Sequence, residues 1–331
     1  MIGSSMRLWQ AAQFGKFSDV LRMTFRDFEA PEAGGTVVRV EAIGLNYLDI
    51  LAIAGKYQEK GPLPFIPGVE AAGQVAACGP DAPFTVGERV MTVGTAACAE
   101  YMTVAPETTF AIPADMPYEA AAAFQLTYQT AHMALVRRAR LQAGELLLVH
   151  AGAGGVGTAA VQIGHALGAR IVATAGSEEK LAICRRAGAE AAINYREENF
   201  CERIQDLSNG RGADVIFDPV GGKVFEASTR CIAFEGRLIT IGFASGQIPS
   251  IAANRILLKN MDVIGLYWGN YKHFDPPRIE RTQTDLYRLW DAGRIKPVIY
   301  REFAFEDLPE ALAALAERRS FGKIVLRGPR I

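Results

Sequence analysis

The chain has 331 residues, half of them hydrophobic, and a formal net charge of −1. That length suffices for two domains with sizeable cores, and the near-neutral balance argues against a nucleic-acid binder drawing its affinity from excess positive charge. No apolar run approaches the ~18 residues of a membrane span, and the five cysteines and four histidines are scattered without a CxxC pair, which fits reduced thiols in a cytoplasmic protein better than a disulfide framework or a structural zinc site.

The start, MIGSSMRLW, lacks the apolar region of a signal peptide. Met6 reads as a natural start, with residues 1–5 an extension. Residues 6–112 hold short β-like runs at 37–40, 73–76, 88–93 and 100–104, heavily punctuated by glycine and proline. This predicts a β-rich domain with functional loops. From 144 to about 265 the pattern alternates. Strands are predicted at 146–150, 170–175, 192–194, 215–218, 238–242 and 261–264, with helices at 178–186, 199–207, 223–231 and 254–259. Strands without strict alternation, separated by helices, predict an α/β fold with a doubly wound parallel sheet buried on both faces. His150 and His165 fall in this region and read as packed structural histidines. After it, Pro276-Pro277 introduces a helix to about 293, followed by a strand-like 298–305, a helix with Leu308, Leu312 and Leu315 on one face, and a last strand at 323–326. A tail too short for its own core is expected to complete the first domain. The division is then 1–129 with 267–331, and 130–266 as an inserted nucleotide-binding domain.

The motif that carries chemistry is GELLLVHAGAGGVG at 144–157. A buried strand runs directly into Gly152, Gly154 and Gly157 in G-x-G-x-x-G spacing and then into a helical stretch, the context that a dinucleotide site requires. The first glycine allows the tight turn, the second the close approach of a pyrophosphate, and the third helix–strand packing. The helix N-terminus, with Gly155 and Val156 as its first residues, offers free N–H groups to the anion. The alternative is a glycine-rich turn that only packs a helix on a sheet.

Several ordered signatures accompany this loop: EAIGLNYLDILAIAGKY at 41–57, PFIPGVEAAGQV at 64–75, VGERV at 86–90, AAAFQLTYQTAHMAL at 121–135, AINYREEN at 192–199 and FGKIVL at 321–326. Together they resemble the medium-chain dehydrogenase/reductase superfamily, and within it the zinc-free quinone oxidoreductases of the zeta-crystallin-like branch. The resemblance implies a discontinuous GroES-like catalytic domain and a Rossmann domain. Zinc-dependent relatives place a cysteine where this chain has Asn46 and a histidine where it has Val69. Glu70 alone could not hold catalytic zinc, which needs about three protein ligands.

The second strand of the nucleotide domain ends in Gly176-Ser177, without the acid that binds ribose hydroxyls in NAD sites. Ser177 can donate a hydrogen bond and Lys180 supplies charge one turn on. In similar reductases the equivalents of Gly176, Lys180 and Tyr195 surround the 2′-phosphate, so the expected cofactor is NADPH. An inward turn of Glu178 or Glu179 would weaken that preference. The alternative for Lys180 is a solvated helix charge, and for Tyr195 a half-buried ring at the sheet edge. The resemblance also places Thr130 and Asn46 beside the nicotinamide, Gly242 and Phe243 at the carboxyl edge of the sheet, and Arg318 near the phosphates, where a solvated arginine is the other reading.

The implied activity is zinc-independent hydride transfer from NADPH to a quinone or similar conjugated carbonyl. Asn46, Tyr47 and Tyr57 are the candidate donors to the developing oxyanion. For both tyrosines the alternative is packing in the pocket wall, and Asp49 is expected to structure its loop. A 2-alkenal or enoyl reductase on the same scaffold is the nearest rival, and a non-catalytic, crystallin-like NADPH-binding protein is the rival of another class. The partners expected are a small-molecule acceptor, no nucleic acid, no membrane, and a second copy paired through the edge of the Rossmann-domain sheet.

Overall fold

The structure is a computed structural model that describes residues 5–27 and 35–329. Of the expected N-terminal extension, only Ser5 falls among them. The chain forms two compact units, Met1–Leu126 with Ile299–Ile331, and Thr127–Val298.

In the first unit, β1 (Ser5–Ala11) and β2 (Leu21–Asp27) form an antiparallel hairpin. The main sheet is organised by β3 (Thr36–Leu45), whose TVVRVEAIGL is almost wholly buried. After it come helix α1 (Tyr47–Ile53), then β4 (Glu70–Cys78), β5 (Arg89–Val93), β6 (Tyr101–Val104) and β7 (Thr109–Ala111). Of the β-like runs expected here, 37–40 and 73–76 are parts of the longer β3 and β4, and 88–93 and 100–104 each begin one residue before β5 and β6. Bulges in the β3–β4 pairing, at Val37/Val38 and Val40/Ala42, break the strict alternation and so conceal the strand length in the sequence.

The second unit opens at Thr127, two residues into helix α2 (Gln125–His132), which runs on into a π-helical stretch, Met133–Arg138. Six parallel strands follow: β8 (Leu146–Val149), β9 (Arg170–Ala175), β10 (Ala191–Asn194), β11 (Ala213–Asp218), β12 (Ile232–Thr240) and β13 (Asp262–Gly265). Their order is β10-β9-β8-β11-β12-β13, the doubly wound arrangement with its switch point between β8 and β11. The intervening helices are α3 (Gly155–Ala166), α4 (Glu178–Arg186), α5 (Phe200–Leu207), α6 (Gly222–Cys231) and α7 (Ala253–Lys259). Leu146, Leu148, Val172, Ile216 and Leu238 build the core beneath them. Two sequence expectations need correction. Strand β12 starts at Ile232, well before 238, because it makes an irregular excursion between Ile232 and Arg237, with Glu235 at φ 56°. His165 is exposed, its ring lying over Gly188. His150 is buried as expected, with Nδ1 3.1 Å from Thr174 Oγ1 and Nε2 2.9 Å from Ser228 Oγ. Burial lowers its pKa to about 3, so the ring is neutral.

Residues 267–298, expected with the first unit, group with the second. The cause is a set of buried polar ties to helix α8 (Pro276–Asp291) and its flanks. Gln129 donates to Gln283 (2.7 Å) and accepts from the Trp268 indole (2.9 Å), while the Lys296 N–H donates to Gln162 (2.8 Å). Leaving any of these amides unpaired in the interior would cost about 1–3 kcal/mol. The chain then returns to the first unit as β14 (Ile299–Phe303), helix α9 (Leu308–Ala316) and β15 (Lys323–Arg327). The main sheet of that unit reads β14-β15-β3-β4-β5-β7, and β6 pairs with the early part of β3. Among the described residues, no helix is long and apolar enough to cross a membrane.

Candidate active site and coenzyme loop

In the second unit the glycine loop follows β8 at the switch point. Each glycine has a steric reason. A Cβ on Gly152 would stand 2.7 Å from Ala173 Cβ on β9, and one on Gly157 would fall on the Ala151 carbonyl. Gly154 caps α3 with extended backbone, and the N–H groups of Gly155 and Val156 open the helix. Those first-turn donors have no partner inside the helix, and the helix dipole adds positive character, so the cradle fits a pyrophosphate.

At the tip of β9, Ser177 caps α4, its Oγ accepting the Lys180 N–H at 3.5 Å. Glu178 is drawn along the helix to Arg185 (2.6 Å). A Cβ on Gly176 would be 2.6 Å from Tyr195 Oη and 3.2 Å from Arg196 Nε. The register explains this: Ala175 and Asn194 are paired, so the residues just past them meet above the sheet edge. Gly176, Ser177, Lys180 and Tyr195 are thus gathered in one place, and Arg196 joins them. Its guanidinium is exposed and has no carboxylate partner among the described residues. Arg196 stands next to Tyr195 in the AINYREEN signature, where it could have been picked out as a second cation.

Further along the carboxyl edge, the turn after β11 and the loop after β12 are tied together. Ile241 and Ala244 donate N–H bonds to the carbonyls of Asp218 and Pro219. Phe243 covers Gly221, and Gly242 lies beside Pro219. Asp218 is fully buried, with Oδ1 accepting the N–H groups of Val220 and Gly221 and Oδ2 unpaired among the described residues. Burial raises its pKa. Thr130 is half-buried on α2, directly after Gln129.

In the first unit, three strand ends converge. Ile324 pairs with Leu45, so Lys323 comes beside Asn46; Ala71 pairs with Ile43, so Glu70 comes beside Gly44. The result is a buried polar cluster. Lys323 Nζ donates to Glu70 Oε2 (2.8 Å) and Asn46 Oδ1 (2.6 Å). Asn46 Nδ2 donates to Glu70 Oε2 (3.2 Å) and the Gly44 carbonyl (3.1 Å). The Leu126 N–H donates to Glu70 Oε1 (2.9 Å). Glu70 is 0% and Lys323 4% exposed. Both hydrogens of the Asn46 amide are therefore engaged within the unit. Asn46 also opens α1, its backbone N–H donating to Asp49 Oδ2 (2.7 Å). Asp49 Oδ1 is buried and unpaired among the described residues. Burial pushes the Asp49 pKa up to about 7, against the lowering effects of the Asn46 hydrogen bond and the Lys323 charge.

Tyr47 follows Asn46 and is 36% exposed, and Tyr57 is half-buried. Arg318 is exposed in the turn that closes α9, at φ 56°. These residues belong to the first unit, and the glycine loop, Lys180, Tyr195 and Phe243 to the second. Lys323 lies within the FGKIVL signature, whose resemblance implied no role for it. The available signal was a single cation flanked by apolar strand residues, which is stable only when paired.

The architecture is that of a two-unit nucleotide-dependent dehydrogenase or reductase. The alcohol dehydrogenase GroES-like domain family matches residues 32–115, and the zinc-binding dehydrogenase family matches residues 155–283. The chain is 38% identical over 306 residues to the quinone oxidoreductase-like protein 2 homolog of Nematostella vectensis, covering 90% of this chain and 84% of that one. Among solved structures it is similar to the Escherichia coli quinone oxidoreductase complexed with NADPH (27% identity, TM-score 0.88, covering 97% of this chain and 99% of that one). It is also similar to the CurK enoyl reductase (26% identity, TM-score 0.89, covering 98% and 99%). The chain belongs to the quinone oxidoreductase family of the medium-chain dehydrogenases and reductases.

The zinc of the broader family does not fit these residues. Among the described residues no group of three or more His, Cys, Asp or Glu could hold a metal ion. The Glu70 carboxylate already has its cation in Lys323, and the Asn46 oxygen accepts from the same ammonium. A divalent ion there would have to displace a buried lysine.

Proposed function

We propose that this protein is an NADPH-dependent reductase that passes hydride to a quinone or a similarly conjugated carbonyl. The observation that carries the reading is the cluster at the β9 tip, where the Tyr195 hydroxyl and the Arg196 guanidinium lie over Gly176, Ser177 caps the helix that carries Lys180, and Glu178 is paired with Arg185. A 2′-phosphate would find the Arg196 cation there and Lys180 in the first turn of the adjoining helix, whereas the strand tip itself, Gly176-Ser177, offers no acid to a ribose diol. When bound, the coenzyme supplies the hydride at its nicotinamide ring. The glycine loop holds the pyrophosphate, and Thr130, Gly242, Phe243 and Arg318 are assigned to the remaining coenzyme contacts. Lys323 and Glu70 fix the Asn46 amide, which holds the start of α1, so that Tyr47 is presented from a rigid turn. Tyr47 and Tyr57 are the donors for the acceptor oxygen.

Replacing Lys180 and Arg196 together with alanine is expected to weaken NADPH binding by roughly tenfold or more per lost charge-assisted bond, with NADH binding unchanged. Fluorescence titration with both coenzymes checks this; equal losses for the two would remove the phosphate assignment. Tyr47→Phe or Tyr57→Phe, whichever removes the proton donor, is expected to cost about a hundredfold in kcat. Full turnover and full acceptor affinity in both variants would end the donor role. The functional test is coenzyme oxidation against benzoquinone, phenanthrenequinone, hexenal and crotonyl-CoA. NADPH-dependent turnover of the quinones is the expected result. Preference for the enal or thioester would favour the enoyl reductase reading, which the likeness to CurK keeps in play. Tight NADPH binding without any turnover would favour a non-catalytic role.

We further propose a homodimer built on β13. Among the described residues that strand pairs only with β12; it carries Val263 (38% exposed), and the helix before it carries Leu257 (73%) and Leu258 (77%). An open edge flanked by apolar side chains is a liability that a second copy removes. A protomer mass in light scattering at micromolar concentration would contradict it. The five free thiols suit the reducing cytoplasm, where we place the protein.

A further inference from the structure

The second unit contains a cavity of about 230 Å³ that none of the coenzyme residues lines. Its walls carry three arginines, Arg137, Arg140 and Arg278, with Asp285 as the opposing carboxylate and His132 and Thr282 as its most buried groups. Local backbone geometry builds it. The π-helical stretch after α2 widens the helix, with the Ala139 N–H bonding to the Ala134 carbonyl (2.8 Å). Met133, Ala134 and Leu135 stay in the core, while Val136 and Arg137 stand outward. Such wide turns recur at functional sites. Arg140 follows in the left-handed region at φ 50°, its carbonyl held by the Gln142 side chain (2.7 Å). An arginine in that conformation costs about 1 kcal/mol or more over glycine.

The charges of the cavity are poorly matched from within. Asp285 pairs with Arg288 (2.8 Å), outside the lining, and lies 4.0 Å from His132. Arg278 has only a 3.4 Å contact with Asp275. Arg137 and Arg140 have no carboxylate partner among the described residues. Arg237, close by, shows the contrast: it donates to the Ala139 carbonyl and is neutralised by Glu145 at 2.7 Å. The same contact fixes the place of the cavity in the fold. Arg237 bonds the Asp214 carbonyl near the start of β11 and Glu145 just before β8. Residue 140 thus lies at the amino ends of the strands, and the glycine loop lies at their carboxyl ends.

We propose that this cavity is a second anion site, for a small molecule carrying two or more phosphate or carboxylate groups. Two rigid guanidinium forks without internal partners match such oxyanions in bidentate geometry, and the volume admits a molecule larger than a single ion. Pyrophosphate and citrate are the probes, and the readout is the His132 ring resonances by NMR, in a chain with only four histidines. The expected result is a saturable shift of His132 with one probe, which identifies the phosphate or the carboxylate source. In R137Q/R140Q the affinity should fall by about a hundredfold, as for two lost charge-assisted contacts. In K180A/R196A, which disables the proposed coenzyme phosphate site, it should be unchanged. No shift with either probe at millimolar concentration, or equal affinity in R137Q/R140Q, would overturn the proposal.

Discussion

Lys323→Met is expected to destabilise the first unit by about 3–5 kcal/mol, the usual result of removing one partner from a buried ion pair. The ammonium is the cation for Glu70 and a donor to Asn46. Methionine fills most of the space but leaves a fully buried carboxylate with only the Leu126 N–H and the Asn46 amide as donors. The comparison that isolates the charge is the double variant Lys323→Met with Glu70→Gln. A neutral amide facing a thioether carries no stranded charge, so the pair should recover a large part of the loss. Urea midpoints of the four proteins close the cycle. A single variant within about 1 kcal/mol of the wild type would mean that water reaches the carboxylate and that the cluster is not sealed. The same substitution releases the Asn46 oxygen. Turnover should therefore fall further than the stability loss explains, measured below the unfolding transition.

The functional weight of this cluster was not legible in the sequence, and the reason is physical. Asn46 and Glu70 lie 24 residues apart and Lys323 a further 253 along the chain, and only the pairings of β15 and β4 with β3 bring the three together. Long-range register in a bulged antiparallel sheet leaves no local trace. The parallel sheet was different. The strands from β8 to β12 are short apolar runs each followed by a helix, two of these helices, α4 and α5, opened by the side-chain caps Ser177 and Asn199, so the chain order already dictates the doubly wound layout around the glycine loop. The steric role of Gly176 lay between these cases. That glycine could be seen, but that the Tyr195 hydroxyl and Arg196 press against it depends on the pairing of Ala175 with Asn194. The segment after β13 was misplaced because the apolar periodicity of α8 does not name its partner. Buried amides at Gln129, Gln162 and Gln283 do, and isolated glutamines look like surface residues until they are seen to bond one another.

Asp49→Asn is expected to change how stability depends on pH. The folded carboxyl has its pKa raised from 3.8 to about 7, chiefly by burial. Once the chain unfolds, the group returns to its ordinary value. Between about pH 4 and about pH 7 the folded state keeps the proton while the unfolded state releases it, so the native protein binds more protons and its stability falls as pH rises through that window. At about 1.4 kcal/mol for each pH unit, the loss is on the order of 4 kcal/mol at the upper end and levels off above it. Asparagine preserves the acceptor for the Asn46 N–H and has no proton to lose. At low pH the wild type holds a neutral carboxylic acid, so the two proteins should have similar stability there. By about pH 8 the variant should be the more stable by up to several kcal/mol. Urea midpoints across this range would show the two profiles diverging. Parallel profiles would mean that Asp49 is ionised throughout and that Lys323, held close by the same cluster, outweighs its burial.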